Sequence, residues 1–533
     1  MAAPLLLIAG GLAVLPIAIK RLTMSSSISG NDDRRRPPPS PPKLPLLGNL
    51  HQIGNYPHRT FVKLAERYGS PLLLFHFGSR PVVVVTTSEA AREVMKTHDV
   101  ISAGKPEFET LKKLLYDGKD VATCPYGEYW RQTRRLCVMH LLSNRKVLSC
   151  RAAREEEVGL LVNRIRKDVE RREPVNLSEL LSCLANDVIC RTAFGRKYSI
   201  GTTAAGGGHH GGATNFRGQL AEFMELLGAF SVGDFIPSLS WVNRITGFDA
   251  RVDRVASQFD ELLEGAVEES LARLEKQTTD VEGGDDDDSQ APFIDVLLRL
   301  QKDSSEAFHL DREGIKAVIL DLFVGGTDTT STLLEWTMSE LIKHPRVMKK
   351  LQEELRTKIG REIETVDEAD LVEERLEYLK LVIRETIRLH PPIPLLAPRE
   401  MTEDATIMGY DVPSGTMIMT NAWGIGRDPK DWPESPEAFW PERFLEGSSN
   451  NVDFRGQDYQ LIPFGAGRRG CPGISFALAV VELALANLVR NFDWELPGGV
   501  GGEDLDMTEC VGLTMHRQLP LLAIPNRYII NVD

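Results

Sequence analysis

Residues 463–473 read PFGAGRRGCPG and run directly into residues 474–489, ISFALAVVELALANLV. Cys471 thus stands alone in a turn rich in glycine and arginine, just ahead of an apolar helix. A metal-bound thiolate keeps its negative charge only where backbone N–H groups, nearby cations and a helix N-terminus stabilise it. This stretch supplies all three. Gly465, Gly467, Gly470 and Gly473 allow close backbone approach, the arginines bring positive charge, Pro472 suits a first helical turn, and the following helix directs its positive end at the sulfur. Taken singly, the same ingredients fit two plainer readings. A lone cysteine can be a small buried hydrophobe, and a glycine-rich turn before a helix can cradle a phosphate.

The order of residues separates these readings. Phe464, Gly467, Arg469, Cys471 and Gly473 fall without a gap on the spacing F-x-x-G-x-R-x-C-x-G. In that string the chain resembles the cytochrome P-450 family of haem-thiolate monooxygenases, most closely its plant microsomal members, over roughly residues 37 to 520. The resemblance implies a mainly α fold with small β-sheets, haem b as cofactor, Cys471 as the axial ligand to the haem iron, and Phe464 beside it. It also implies hydroxylation of a substrate C–H with one dioxygen and two electrons, Cys471 pushing electron density toward O–O cleavage.

A second motif lies in residues 311–343, which lack proline and extend roughly 50 Å if helical. Residues 317–324 are almost wholly apolar, so this helix is expected to cross the interior. In its middle stands GGTDTT, 325–330, where the two glycines cost about 1 kcal/mol each in helix stability. Gly325 and Gly326 leave room for dioxygen and permit a local bulge, Asp328 can relay protons, and Thr329 can hold a water or hydroperoxide by hydrogen bonding. The competing reading is a packing face whose hydroxyls bond back to i−4 carbonyls. The family pattern A/G-G-x-D/E-T-T favours the first.

Glu385 and Arg388, in RETIRLHPP, share a helix face, and the resemblance implies that Arg443, in PERF, completes a structural cluster with them on the haem side. Glu353 and Arg356 match E-x-x-R equally well and read as an exposed helix salt bridge. Haem propionates are two carboxylates, which guanidinium groups suit because they stay charged and bind bidentately. Trp130 and Arg134 in the family's W-x-x-x-R, Arg469 in the cysteine loop and Arg399 in APRE are the residues implied to hold them.

The ends and the composition bound the remainder. Residues 1–20 are expected as a single-pass signal anchor in the endoplasmic reticulum membrane, since residues 2–19 carry no charge and the following Lys20, Arg21 and Arg34 to Arg36 place the catalytic domain in the cytosol. Residues 21–47 read as a basic and proline-rich linker, and 48–533 as the haem-thiolate catalytic domain. Residues 72–77 and 82–87 read as two strands of a small sheet, and 201–215 and 278–290 as surface loops. A net charge of −14 argues against nucleic acid, and seven irregularly spaced cysteines make no disulfide framework. No flavin or nicotinamide fingerprint is present, so electrons from NADPH are expected through a separate NADPH-cytochrome reductase, with a cytochrome b-type donor as a further source. Arg131, Arg135, Arg145 and Lys146 are candidates for a basic docking face, with a solvated surface as the alternative.

The expected substrate is a lipophilic small molecule such as a terpenoid, indole, phenolic or oxime. By resemblance its pocket draws on the stretch before Trp130, residues 215–245, Ile393 to Leu396 and Gly512 to Thr514. Two rivals stand beside the oxygenase: a haem-thiolate isomerase or dehydratase needing no reductase, and a haem-binding sensor. Asp328 and Thr329 argue against both.

Overall fold

The computed structural model describes residues 36–197, 213–280, 290–303, 308–360, 364–445, 449–450 and 452–528. The expected anchor at 1–20 lies outside them, as do most of the two expected loops. At the edges of those loops the chain is already helical, from Ala213 to Leu227 and up to Asp280.

The alternation in residues 72–85 makes an antiparallel hairpin, β1 (Leu72–Phe77) and β2 (Arg80–Val85), turning on Gly78 at φ +59°. Two later strands complete this sheet, β3 (Arg399–Glu400) and β4 (Met417–Thr420), in the order β1-β2-β4-β3 with β2 and β4 parallel. The sheet therefore carries Arg399 to one edge of the molecule's helical part. The proline-rich stretch, expected as a connector ahead of the fold, is instead docked on it. The Leu74 amide donates to Pro39 O at 2.9 Å, Asn49 Nδ2 donates to Pro41 O at 3.1 Å, and Pro38 and Pro41 are buried. Proline carbonyls are free acceptors in an extended segment, and a sheet edge with open N–H groups takes them up.

Among the described residues, Val175–Asn176, Leu522–Arg527 and Phe492–Glu495 form a second small sheet and Ala405–Ile407 with Tyr410–Val412 a hairpin; the remainder is mainly helical. The elements that place the site are α1 (Glu128–Leu136), α2 (Leu177–Phe194), α3 (Arg312–Lys343), α4 (Pro345–Lys358), α5 (Glu377–Leu389) and α6 (Ile474–Asn491). Helix α3 starts where the Asp311 side chain accepts the Gly314 amide at 2.8 Å, and it ends one residue before Pro345. Ile315 to Leu320 and Thr330 to Ile342 are buried without interruption, so both halves cross the core, while the stretch between them keeps one face open at Gly325. No bulge opens at the glycines. The helix stays α throughout, and the Thr327 and Thr329 hydroxyls donate back to the carbonyls of Phe323 and Gly325 at 2.7 Å.

Helix α6 passes a length and hydropathy test for a membrane span, but two thirds of it is buried within the protein, where Leu483 to Leu485 and Val489 are fully enclosed. It is a core helix. Arg356 of α4 makes no exposed pair with Glu353: it reaches Asp493 Oδ1 at 2.8 Å and Arg490 O at 3.1 Å, and lies 3.7 Å from the Tyr528 ring centre. The packing of α4 onto the end of α6 turns that guanidinium inward, where unpaired carbonyls at a helix C-terminus need donors.

Candidate active site

The cysteine loop is held by its own backbone. The Cys471 amide donates to Phe464 O at 2.9 Å, and the Gly473 amide donates to Cys471 Sγ at 3.4 Å, one residue before α6 begins at Ile474. Pro472 therefore lies in the turn rather than in the first helical turn. Gly467 has φ +64°, and a Cβ there would stand 2.3 Å from Asp99 Oδ1 and 2.5 Å from Met95 O, so only glycine fits. Phe464 packs on Phe454 with ring centres 5.7 Å apart. Cys471 is surrounded by enough protein for burial to push its thiol pKa up, with the Gly473 N–H and Arg134 opposing, yet its side chain is accessible. Both hold only if the sulfur lines a concave wall.

Around this wall the structure gathers cations from four separate stretches. Arg134 donates to Gly470 O at 2.6 Å, and Arg399 donates to Ala466 O at 2.6 Å, so α1 and β3 both grip the cysteine loop. Arg469 spends its donors on Ala103 O, Val121 O and Cys124 O, at 2.8, 3.3 and 2.6 Å. Trp130 lies under both Arg134 and Arg469, 5.5 and 4.1 Å from its ring centre, and its indole N–H donates to Val121 O at 3.0 Å. The fourth cation, Lys105, was not anticipated from the sequence; it is buried, with Nζ 3.0 Å from Pro398 O.

These charges are crowded. Burial, with Arg399 and Arg134 nearby, lowers the Arg469 pKa to about 10, and burial together with Arg469 and Arg399 brings Lys105 down to about 7. Most of their hydrogen-bond partners are neutral carbonyls; Asp99, 3.4 Å from Arg399, pairs with the set and also takes the Arg468 amide at 3.1 Å, and Asp120 and Asp321 act on Lys105 through space. Buried cations bonded to carbonyls and repelling one another fit a ligand with two carboxylates, and a thiol on the adjacent wall fits its metal. The donor set suits haem.

On α3, the two glycines differ. A Cβ at Gly325 would meet open space, whereas at Gly326 it would lie 3.1 and 3.3 Å from Ile189 of α2. Gly325 faces room; Gly326 lets α2 and α3 approach. The Thr329 hydroxyl donates to Gly325 O at 2.7 Å. Asp328 is fully engaged: Oδ1 is 3.1 Å from His516 Nε2, and Oδ2 accepts the Thr514 hydroxyl. Burial pushes this carboxyl's pKa up, but His516 and Thr514 overcome it and hold it below the usual range.

Glu385, Arg388 and Arg443 form one buried unit. Arg388 Nε and Nη2 donate to the two Glu385 oxygens at 2.8 Å, and Arg443 Nε donates to Oε1 at 2.9 Å. All three are nearly inaccessible, and the remaining guanidinium donors are spent on the carbonyls of Gly426, Glu434, Ser435, Pro436 and Ala438. Glu442 points elsewhere, to Arg346 and Lys350.

Of the four expected docking cations, two do not offer free charge. Lys146 is buried with Nζ 2.6 Å from Ala291 O, and Arg131 is paired with Glu128. Arg135 and Arg145 remain exposed, next to exposed Val138, Met139 and Leu148.

Of the expected pocket stretches, residues 215–245 and 512–514 meet, and the same loop reaches the residue just ahead of Ile393. Leu513 presses on Gly228, the Met515 amide donates to Pro392 O at 3.0 Å, and Thr514 meets Asp328. His516, like Lys105, escaped notice in the sequence. Nothing in its spacing marks a partner on a helix so far away in the chain.

A cytochrome P450 family description matches residues 38–523. The chain belongs to the cytochrome P450 family, and it is therefore an oxidoreductase of the monooxygenase type, with haem b as its cofactor. Among curated relatives, it is 50% identical to cytochrome P450 736A117 of Prunus mume over 485 residues, covering 91% of this chain and 89% of that protein. It is likewise 50% identical to cytochrome P450 71A1 of Persea americana, over 90% of this chain and 92% of that one. Norfluorocurarine oxidase of a Strychnos species is 47% identical across 91% of both chains. A zebra fish cytochrome P450 solved with progesterone shares the fold at a TM-score of 0.70 and 24% identity, covering 89% of this chain and 99% of that one.

Proposed function

We propose that this monooxygenase oxidises a lipophilic plant specialised metabolite, with electrons from NADPH delivered by a separate reductase, on the cytosolic side of the endoplasmic reticulum membrane. The haem, when bound, supplies the oxygen activation itself. Lys105, Arg134, Arg399 and Arg469 would hold its carboxylates, Trp130 would keep two of these guanidiniums in place, and Cys471 would ligate its iron. Gly473 donates a backbone N–H to that sulfur, which stabilises negative charge there. Gly325 leaves the open wall of α3, where a small guest can approach. Asp328 and Thr329 would move protons at that wall, Asp328 from its carboxylate and Thr329 by turning its hydroxyl away from Gly325 O.

The observation that carries this reading is the set of four cations, Lys105 and Arg399 buried and Arg134 and Arg469 half-buried, meeting at the loop of an accessible cysteine thiol. A Strychnos relative at 47% identity is a norfluorocurarine oxidase, which supports oxidation of a small organic molecule here. Exposed Arg135 and Arg145, with Val138, Met139 and Leu148, offer a mixed charged and apolar face for an acidic flavoprotein.

The test is product formation from a panel of terpenoids, indoles, phenolics and oximes by full-length protein in microsomes. Oxygenated product that requires both NADPH and reductase is the expected result. Turnover without reductase would move the protein to the isomerase or dehydratase class.

A further inference from the structure

We propose that His516 is the positioning residue for Asp328: it orients the carboxylate, stores the proton that the acid passes on, and ties both to the loop at 510–517. This deepens, and rests on, the reading of Asp328 as a proton relay.

Both ring nitrogens of His516 are engaged by α3. Nε2 lies 3.1 Å from Asp328 Oδ1, and Nδ1 lies 2.8 Å from the hydroxyl of Thr332, which itself sits 2.7 Å from the Asp328 carbonyl. Thr332 is completely buried, and a helical hydroxyl bonded back to the i−4 carbonyl gives its one proton to that carbonyl. Its oxygen is then an acceptor toward Nδ1. A ring that donates from Nδ1 to a hydroxyl and from Nε2 to a carboxylate is an imidazolium. The surroundings agree. Burial disfavours the charged ring, but Asp328, with Glu335 two turns further along α3, outweighs it and raises the His516 pKa.

Other groups close to the ring leave this assignment intact. From α3 come Asp328, Glu335, and the neutral Thr332; Glu335 also accepts the Arg517 amide at 3.3 Å and the Ser178 hydroxyl. From the loop come Arg517, whose Nε donates to Leu519 O at 3.3 Å, and Cys510, whose amide donates to His516 O at 2.7 Å. The acid's second oxygen is taken by Thr514 of the same loop. That loop is pinned by Met515, whose carbonyl accepts the Trp336 indole at 2.6 Å and whose amide reaches Pro392.

The proton step balances simply. The N–H bond at His516 Nε2 breaks, an O–H bond forms at Asp328 Oδ1, and no electrons move. Neutral His516 then takes a proton from water, which can reach a side chain that is 36% exposed. Because Thr514 and Leu513 belong to the stretch expected to touch substrate, a guest that shifts the loop also shifts the acid's two partners.

The experiment uses full-length, haem-loaded protein in phospholipid nanodiscs with reductase. With [13Cε1]histidine labelling, the resonance missing from His516→Gln should titrate above the usual imidazole value of about 6.5 in the wild type, and fall by about one unit in Asp328→Asn. With indole as probe, peroxide released per NADPH should rise several-fold in the wild type as pH climbs through that raised midpoint, and be high and flat in His516→Gln. Should His516→Gln lose the ferrous carbon-monoxide absorbance, Thr332→Val carries the test, since it removes only the Nδ1 partner and should lower the midpoint. An unchanged midpoint in Asp328→Asn, or a wild-type profile in His516→Gln, overturns the proposal while leaving Asp328 as a relay. A wild-type profile in Asp328→Asn instead removes the relay, and this proposal with it.

Discussion

Cys471 and Thr329 show how much one atom's surroundings decide. The thiol's neighbours are a backbone N–H and Arg134, and both favour the anion over the thiol. Replacing Cys471 with alanine should abolish the thiolate signature in the ferrous carbon-monoxide spectrum, and an unshifted band would reject the ligand assignment. Thr329 spends its hydroxyl on Gly325 O, so any service to a guest requires a side-chain rotation. Thr329→Val keeps the shape and removes the hydroxyl. It should bind haem normally while sending most NADPH electrons to peroxide, which a peroxide assay against NADPH consumption reads directly. Full coupling in that variant would show the hydroxyl to be a helix back-bond and no more.

At the scale of elements, the pattern A/G-G in front of the acid has a packing reason. Gly325 borders open space, whereas Gly326 stands against Ile189, so alanine is tolerable only at the first position. Gly325→Ala should stabilise the fold by about 0.5 to 1 kcal/mol through helix propensity, and Gly326→Ala should fail to gain it because Ile189 must give way. Denaturant melts of the two variants separate the cases; equal gains would mean that α2 yields freely. The Glu385 unit is a different kind of junction, joining α5 to the stretch from Gly426 to Phe444 through three buried side chains. Arg443→Ala should cost about 3 to 5 kcal/mol, because it leaves a buried carboxylate short of a partner. A loss below about 1 kcal/mol would show the pair Glu385–Arg388 to be self-sufficient.

For the whole molecule, acid stability is concentrated at a few long-range junctions. Burial opposes ionisation at Glu509, yet His58 and Arg59 hold its pKa at about 2, tying the helix Pro57–Tyr68 to the C-terminal loop. Glu340 is likewise held at about 2 by His344 and His390, and Glu442 at about 2 by Arg346 and Lys350, against the same opposing burial. A carboxyl whose folded pKa is depressed contributes stability above its unfolded value, and that contribution disappears as pH falls through the folded value. The fold should therefore weaken between about pH 4 and 2. Glu509→Gln should remove about 1 kcal/mol at neutral pH, discounted because Arg59 is half exposed, and leave a shallower acid transition in thermal melts. An unchanged acid transition would place the sensitivity at the other two junctions.

Sequence by itself determined what depends on neighbours along the chain. The cysteine loop with its helix, the long α3 with its glycines and acid, the first hairpin and the Glu385–Arg388 turn all follow from spacing, because hydrogen bonding and helical periodicity act over a few residues. Tertiary structure alone decided which distant groups meet. It brought Lys105 to Arg469 and Arg399, seated His516 on Asp328, docked the proline-rich stretch on the sheet, turned Lys146 and Arg356 inward, and gave Gly325 and Gly326 different neighbours. Such contacts join segments tens to hundreds of residues apart, and their existence follows from how helices and sheet pack, which no local pattern encodes.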